Sequence, residues 1–191
     1  MSTSEQPLDL VGWEIDLPAE AESRFRDALP GAEAAGDDVY LAELLTQLAR
    51  TQSLQGRFEE AHALLDRVEG LLIDGMARPR IRLLLERGRT LNSSGAAAEA
   101  QPLFLEAYLL GTDSGEEYLA VDALHMLAIV SPPPDQIDWA RRGIEMAETS
   151  EDPQTRRWLG ALYNNLGWTY HDLGQYEAAL ECFRRALEVR R

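Results

Sequence analysis

The sequence predicts an all-α solenoid of stacked antiparallel helix pairs, on three observations. A small residue returns at Ala61, Ala100, Ala140 and Ala179, at intervals of 39, 40 and 39 residues. Self-similarity at a period of roughly 20–50 residues marks a stacked repeat array. Around each alanine the pattern is kept. Four residues on comes a bulky side chain (Leu65, Phe104, Ile144, Phe183), three further a compact one (Val68, Ala107, Ala147, Ala186), and twelve before lie Ala49, Gly88, Ala128 and Gly167. Within a unit the apolar period is helical: Leu41, Leu44, Leu45, Leu48 and Ala49 form one stripe, and Phe58, Ala61, Leu65, Val68 and Leu72 a second.

The elements follow in order. Residues 1–18 form an acidic tail, where Pro7, Gly12 and Pro18 interrupt any helical period. Val11, Trp13, Ile15 and Leu17 alternate with polar residues, which suits an extended segment lying along the array's first edge. Ala21, Phe25 and Ala28 precede Ala61, Leu65 and Val68 by 40 residues, so 19–35 is a partial unit mimicking the second helix of a pair. Repeats then occupy 42–75, 81–114, 121–154 and 160–191, giving one helical repeat domain over 19–191. Gly56, Gly95 and Gly174 stand at equivalent positions where a tight turn needs positive φ. In the third repeat Ser131-Pro132-Pro133-Pro134-Asp135 replaces that turn, and proline's restriction of the residue before it ends the first helix near Val130. That run is either a turn variant or a rigid lip. The last helix, about 177–189, carries Leu180, Phe183, Leu187 and Val189, with only Arg190 and Arg191 after it. Part of this stripe has no further repeat to cover it, so either it pairs with a second copy or a longer chain covers it.

The fourth unit carries a recognisable signature. Tyr163, Leu166, Gly167, Tyr170, Ala179, Phe183 and Ala186 match, position by position, the tetratricopeptide repeat, which this chain resembles over about residues 40–191. The period exceeds that family's 34 residues by five or six. It is similar to the longer repeats of kinesin light chains and some bacterial regulators, with the excess in extended helix ends and longer connections. The resemblance implies a right-handed superhelical array of about four and a half repeats, whose first helices line a groove that binds a protein or peptide.

Composition narrows the classes. The 191 residues carry 33 acidic against 18 basic side chains, a net charge of -15, and every basic residue is arginine. Such acidity disfavours nucleic acid and anionic membrane surfaces, whose affinity comes from cations on phosphates. The absence of lysine removes Schiff-base and phosphate-loop chemistry, and points to a GC-rich, bacterial coding sequence. A single cysteine, Cys182, excludes an intrachain disulfide and a thiolate zinc cluster, and reads as packed rather than reactive. With no secretory signal and no apolar span, the chain is expected in the cytoplasm.

No catalytic constellation emerges. His62, His125 and His171 lie in three different units without metal-ligand spacing, and Glu59-Glu60 and Glu116-Glu117 sit where carboxylates complement helix starts. The expectation is a non-enzyme with no cofactor and no metal. What the resemblance implies for binding is a groove containing Arg50, Arg82 and Arg89 in its first half and His125, Met126, Asn164, Asn165, Trp168 and His171 in its second. The arginines suit an acidic group, Asn165 a peptide backbone, and Trp168 with Met126 an anchoring side chain. Replacing Arg82 and Arg89 with alanine is then expected to weaken binding and leave stability unchanged. Alternatives are a self-assembling structural module, dimeric through the C-terminal helix, and a peptide-sensing regulatory domain acting with a partner in trans.

Overall fold

The computed structural model describes residues 17–190, so the tail segment 1–16 and Arg191 lie outside the described residues. Ten helices and no strand occur among the described residues. They divide into two compact units, one ending at Gly95 and one beginning at Ala96.

The first unit holds α1 (Pro18–Ala35), α2 (Asp38–Leu54), α3 (Phe58–Leu71) and α4 (Ala77–Ser93). Here α2 packs on α1, α3 and α4. The predicted stripes meet inside: Phe25 from α1, Leu44, Leu45, Leu48 and Ala49 from α2, and Ala61, Leu65 and Val68 from α3 are all buried. The partial unit is a full helix that runs through Pro30 to Ala35. A buried carboxylate fastens it. Glu22 on α1 accepts from Arg26 (2.7 Å), from Gln55 Nε2 (2.8 Å) and from Arg57, which flank the α2–α3 turn. Burial alone would raise the Glu22 pKa, but the hydrogen bonds from Gln55, Arg57 and Arg26 outweigh it and hold the group below its ordinary 4.5.

The second unit holds α5 (Ala97–Ser114), α6 (Glu117–Val130), α7 (Pro133–Thr149), α8 (Pro153–Arg156), α9 (Trp158–Asp172) and α10 (Tyr176–Glu188). Within it α6 packs on α5, α7 and α9, and α9 on α7 and α10. Ala140, Ile144, Ala147, Leu162, Leu166, Ala179 and Cys182 form its core. Burial pushes the Cys182 thiol above its ordinary pKa, as for a packed side chain. The helix α6 stops at Val130, and Pro133 and Pro134 form the first turn of α7, where a missing N–H costs nothing. Ser131 is pinned from both sides, its hydroxyl accepting from Gln101 (3.1 Å) and its carbonyl from Gln136 (2.8 Å).

Turn glycines take the left-handed conformation at Gly56 (φ 75°), Gly95 (φ 95°) and Gly174 (φ 72°). Behind Gly56 and Gly174 the chain closes the helix end with a wide-spanning bond, Arg57 N–H to the Gln52 carbonyl (2.9 Å) and Gln175 N–H to the Tyr170 carbonyl (2.8 Å). First helices begin ahead of the repeat starts read from the sequence, at Asp38, Ala77, Glu117 and Trp158 rather than 42, 81, 121 and 160. The added turn, the 72–76 connection and α8 take up the period beyond 34 residues. The helices α4 and α5 of the expected 81–114 repeat fall one in each unit.

Candidate binding surface

In the first unit the candidate surface lies on α2 and α4, which bring polar side chains to one face at helical spacing. Glu43 on α2 sits 3.3 Å from Arg78 Nε and 3.4 Å from Arg82 Nε on α4. Further along, Glu86 on α4 receives Arg89 at 2.6 Å on one oxygen and Arg50 from α2 at 3.3 Å on the other. Arg50 and Arg89 thus share one carboxylate, and Arg82 is 6% exposed beside another. The three arginines expected to meet a ligand are first of all ion-paired within the fold. Arg50 remains the more accessible, since its side chain keeps 31% of its exposure.

In the second unit the surface lies on α6 and α9. Asn165 Nδ2 stands 2.8 Å from His125 Nε2, the amide donating and the imidazole nitrogen accepting. The His125 ring lies 5.1 Å from that of Trp158, which is also 5.8 Å from Tyr118. The indole Nε1–H of Trp158 is buried with no acceptor among the described residues. Thr169 adds a hydroxyl bonded to Gln136 (3.2 Å). This face gathers aromatic rings, an amide and an unanswered donor, a chemistry suited to a peptide backbone and an apolar side chain.

The remaining residues separate. Met126 is buried at 7% exposure and packs inward. Trp168 is 54% exposed and turns toward α10, its ring 5.4 Å from Phe183 and 5.5 Å from His171. His171 continues the row to Tyr176 at 5.5 Å and lies 3.2 Å from Asp172. Asn164 reaches only its neighbour Asn165, at 3.4 Å, among the bonds described. Of the residues expected together in the second half of the groove, His125 and Asn165 are in contact, while Met126 lies in the core and Trp168 on an outer edge. Trp158 and Tyr118, which stand beside His125, were not among the residues expected at the groove. The available signal was one aromatic residue on each helix extension, Tyr118 three residues ahead of the repeat start at 121 and Trp158 two ahead of that at 160. Among the described residues no group of three His, Cys, Asp or Glu side chains is placed to hold a metal ion, and no helix is long and apolar enough to cross a membrane.

Comparisons with known proteins agree with this architecture. A family model described as tetratricopeptide repeat matches residues 161–191. No curated protein matches the chain. Among solved structures, BtubC (BKLC) from P. vanneervenii is similar, with a TM-score of 0.71 at 18% identity, over 91% of this chain and 73% of that one. A putative kinesin light chain with nearly identical TPR-like repeats, from Podosopora anserina, gives 0.60 at 18% identity, over 91% and 87%. MamA gives 0.53 at 19% identity, over 93% and 96%. At such identities the likeness establishes the fold.

Proposed function

We propose that this chain, a tetratricopeptide-repeat fold, is a protein-interaction scaffold that grips a segment of a partner protein on α6 and α9, the first helices of the pairs in its second unit. Proteins built from these repeats bind other proteins, and stacked pairs expose long surfaces rather than closed pockets. The observation that supports the reading most is the buried Trp158 N–H without an acceptor, beside His125 and Asn165. Leaving such a donor unsatisfied costs about 1–3 kcal/mol. The half-buried rings of Tyr118 and Trp158 receive an apolar side chain, and a rotation of the Trp158 ring toward the ligand brings its N–H to a carbonyl of the bound segment. In the first unit, taken by itself, Arg50 is the group best able to turn from Glu86 to an acidic residue of a ligand. The composition supports a binding role in a bacterial cytoplasm over catalysis, with nucleic acid and membranes disfavoured by the charge of -15.

Selection from a displayed random-peptide library tests this. Selected peptides are expected to bind the wild-type chain and to lose about tenfold or more in affinity to Trp158→Phe, which removes one donor, or to Asn165→Ala. Failure to select any peptide, or selected peptides indifferent to both substitutions, would overturn the reading.

A second reading has its own observation. Trp168, Tyr176, Leu180 and Leu187 leave a large apolar surface open on α9 and α10, which favours self-association through the C-terminal helix.

A further inference from the structure

We propose that a second copy of this chain covers the α9–α10 face, pairing the two α10 helices antiparallel so that Glu177 of each copy meets Arg184 of the other. The inference rests on the self-association reading and gives it a partner and a register.

The repeat itself says what kind of element this face receives. The position of Leu187 is held one unit earlier by Glu148 on α7, and in the first unit by Glu69 on α3. Glu148 accepts from the Tyr163 hydroxyl of α9 at 2.8 Å, and Glu69 from Arg87 of α4 at 3.1 Å. The position of Leu180 is held earlier by Arg141, which donates to Tyr170 of α9 at 2.9 Å. On α3 and α7, then, this face docks the following first helix through polar contacts, while on α5 the position of Leu187 is held by Tyr108, whose ring lies 6.2 Å from that of Trp139 on α7. On α9–α10 the same positions carry leucines, 50% exposed at Leu180 and 55% at Leu187, beside Tyr176 at 62%. The face is built for a helix, and where α7 carries Arg141 and Glu148 it carries leucine.

Charge selects the occupant. Tyr176, Leu180, Phe183 and Leu187 recur at four, three and four residues and form one stripe along α10. Glu177 and Arg184 are seven residues apart, two helical turns, and so lie on one flank of that stripe. Neither forms an ion pair among the described residues, whereas Arg185, on the far side, is engaged with Glu181 (3.4 Å) and Glu188 (3.8 Å). Arg190 folds back, Nη2 3.5 Å from the Gly160 carbonyl of α9. In an antiparallel pair related by a two-fold axis, equal flanks face each other with opposite direction. Glu177 of one copy then meets Arg184 of its mate, and the reciprocal pair forms by symmetry, as an isologous interface requires. Leu180 meets the region of Phe183, and Tyr176 that of Leu187. A parallel arrangement brings no such reciprocity.

Mass by light scattering over a micromolar range, with helicity by circular dichroism as control, decides it. Wild type is expected at twice the 21.3 kDa chain mass, and Leu180→Glu with Leu187→Glu at the single mass with unchanged helicity. Glu177→Arg alone or Arg184→Glu alone sets like charges opposite each other and is expected to weaken the dimer about tenfold, while the two together restore it. A monomeric wild type would overturn both this inference and the self-association reading. A wild-type dimer indifferent to the single charge reversals, or unrescued by the double one, overturns the register and leaves self-association standing. A dimer that persists in the double leucine variant overturns the choice of face.

Discussion

Gly167 shows how little room the repeat code leaves. A Cβ added there would come 2.6 Å from Phe183 Cε1, far inside contact distance, so the glycine is the space the aromatic ring fills. Gly167→Val is expected to destabilise by about 1–3 kcal/mol, because the ring must leave its place against Trp168. An unchanged chemical-denaturation midpoint would refute that register. Glu22 makes a pH-dependent contribution. Because its folded pKa lies below the ordinary 4.5, its stabilisation is full above about 4.5 and is lost as pH falls through the lower folded value. The stability gap between wild type and Glu22→Gln should therefore be present at pH 7 and close in acid; a gap independent of pH would contradict the network. Arg82 differs from what its place in the sequence suggests. Buried beside Glu43, it cannot be removed without leaving a carboxylate less compensated, so Arg82→Ala should lower the melting temperature as well as affect any binding.

At the scale of the element, helices with an apolar stripe were legible and those without one were not. The alanine and glycine ladder predicted the first helices α2, α4, α6 and α9 and the second helices α3, α5, α7 and α10, because their buried faces carry the period directly. The added first turns of α2 and α6 escaped, since Asp38 and Val39 or Glu117 and Tyr118 precede the repeated spacing; α2 is capped there by Asp37, whose carboxylate accepts from the Tyr40 N–H, and α6 has no side-chain cap. The four-residue α8 has no stripe at all. It is held by Asp152, whose carboxylate accepts from the Gln154 N–H (3.0 Å) and from the Thr155 N–H (3.1 Å) and hydroxyl (2.7 Å). The Thr155 hydroxyl, with the backbone bonds, holds the Asp152 pKa below its ordinary value. Asp152→Ala is expected to cost about 0.5–2 kcal/mol in denaturant unfolding, as for other N-cap losses, and no loss would show that α8 is held by other means.

For the whole molecule, a charge of -15 coexists with a polar face on α2–α4 where arginines and glutamates neutralise one another. Periodicity reports which side of a helix is buried, so it located the first helices, although Arg82 and Met126, expected on the groove, are buried. It carries no information on which cation meets which carboxylate across two helices, and so it could not tell that Arg50 and Arg89 converge on Glu86. Nor does it separate a residue that faces a neighbouring helix from one that faces an edge, which is the difference between Asn165 and Trp168. The central claim is that the first helices receive a partner segment. Amide hydrogen exchange, with and without a peptide selected for binding, tests it most directly. Added protection is expected on α6 and α9 around His125, Trp158 and Asn165; protection confined to the second helices α5, α7 and α10, with α6 and α9 unaltered, would contradict it.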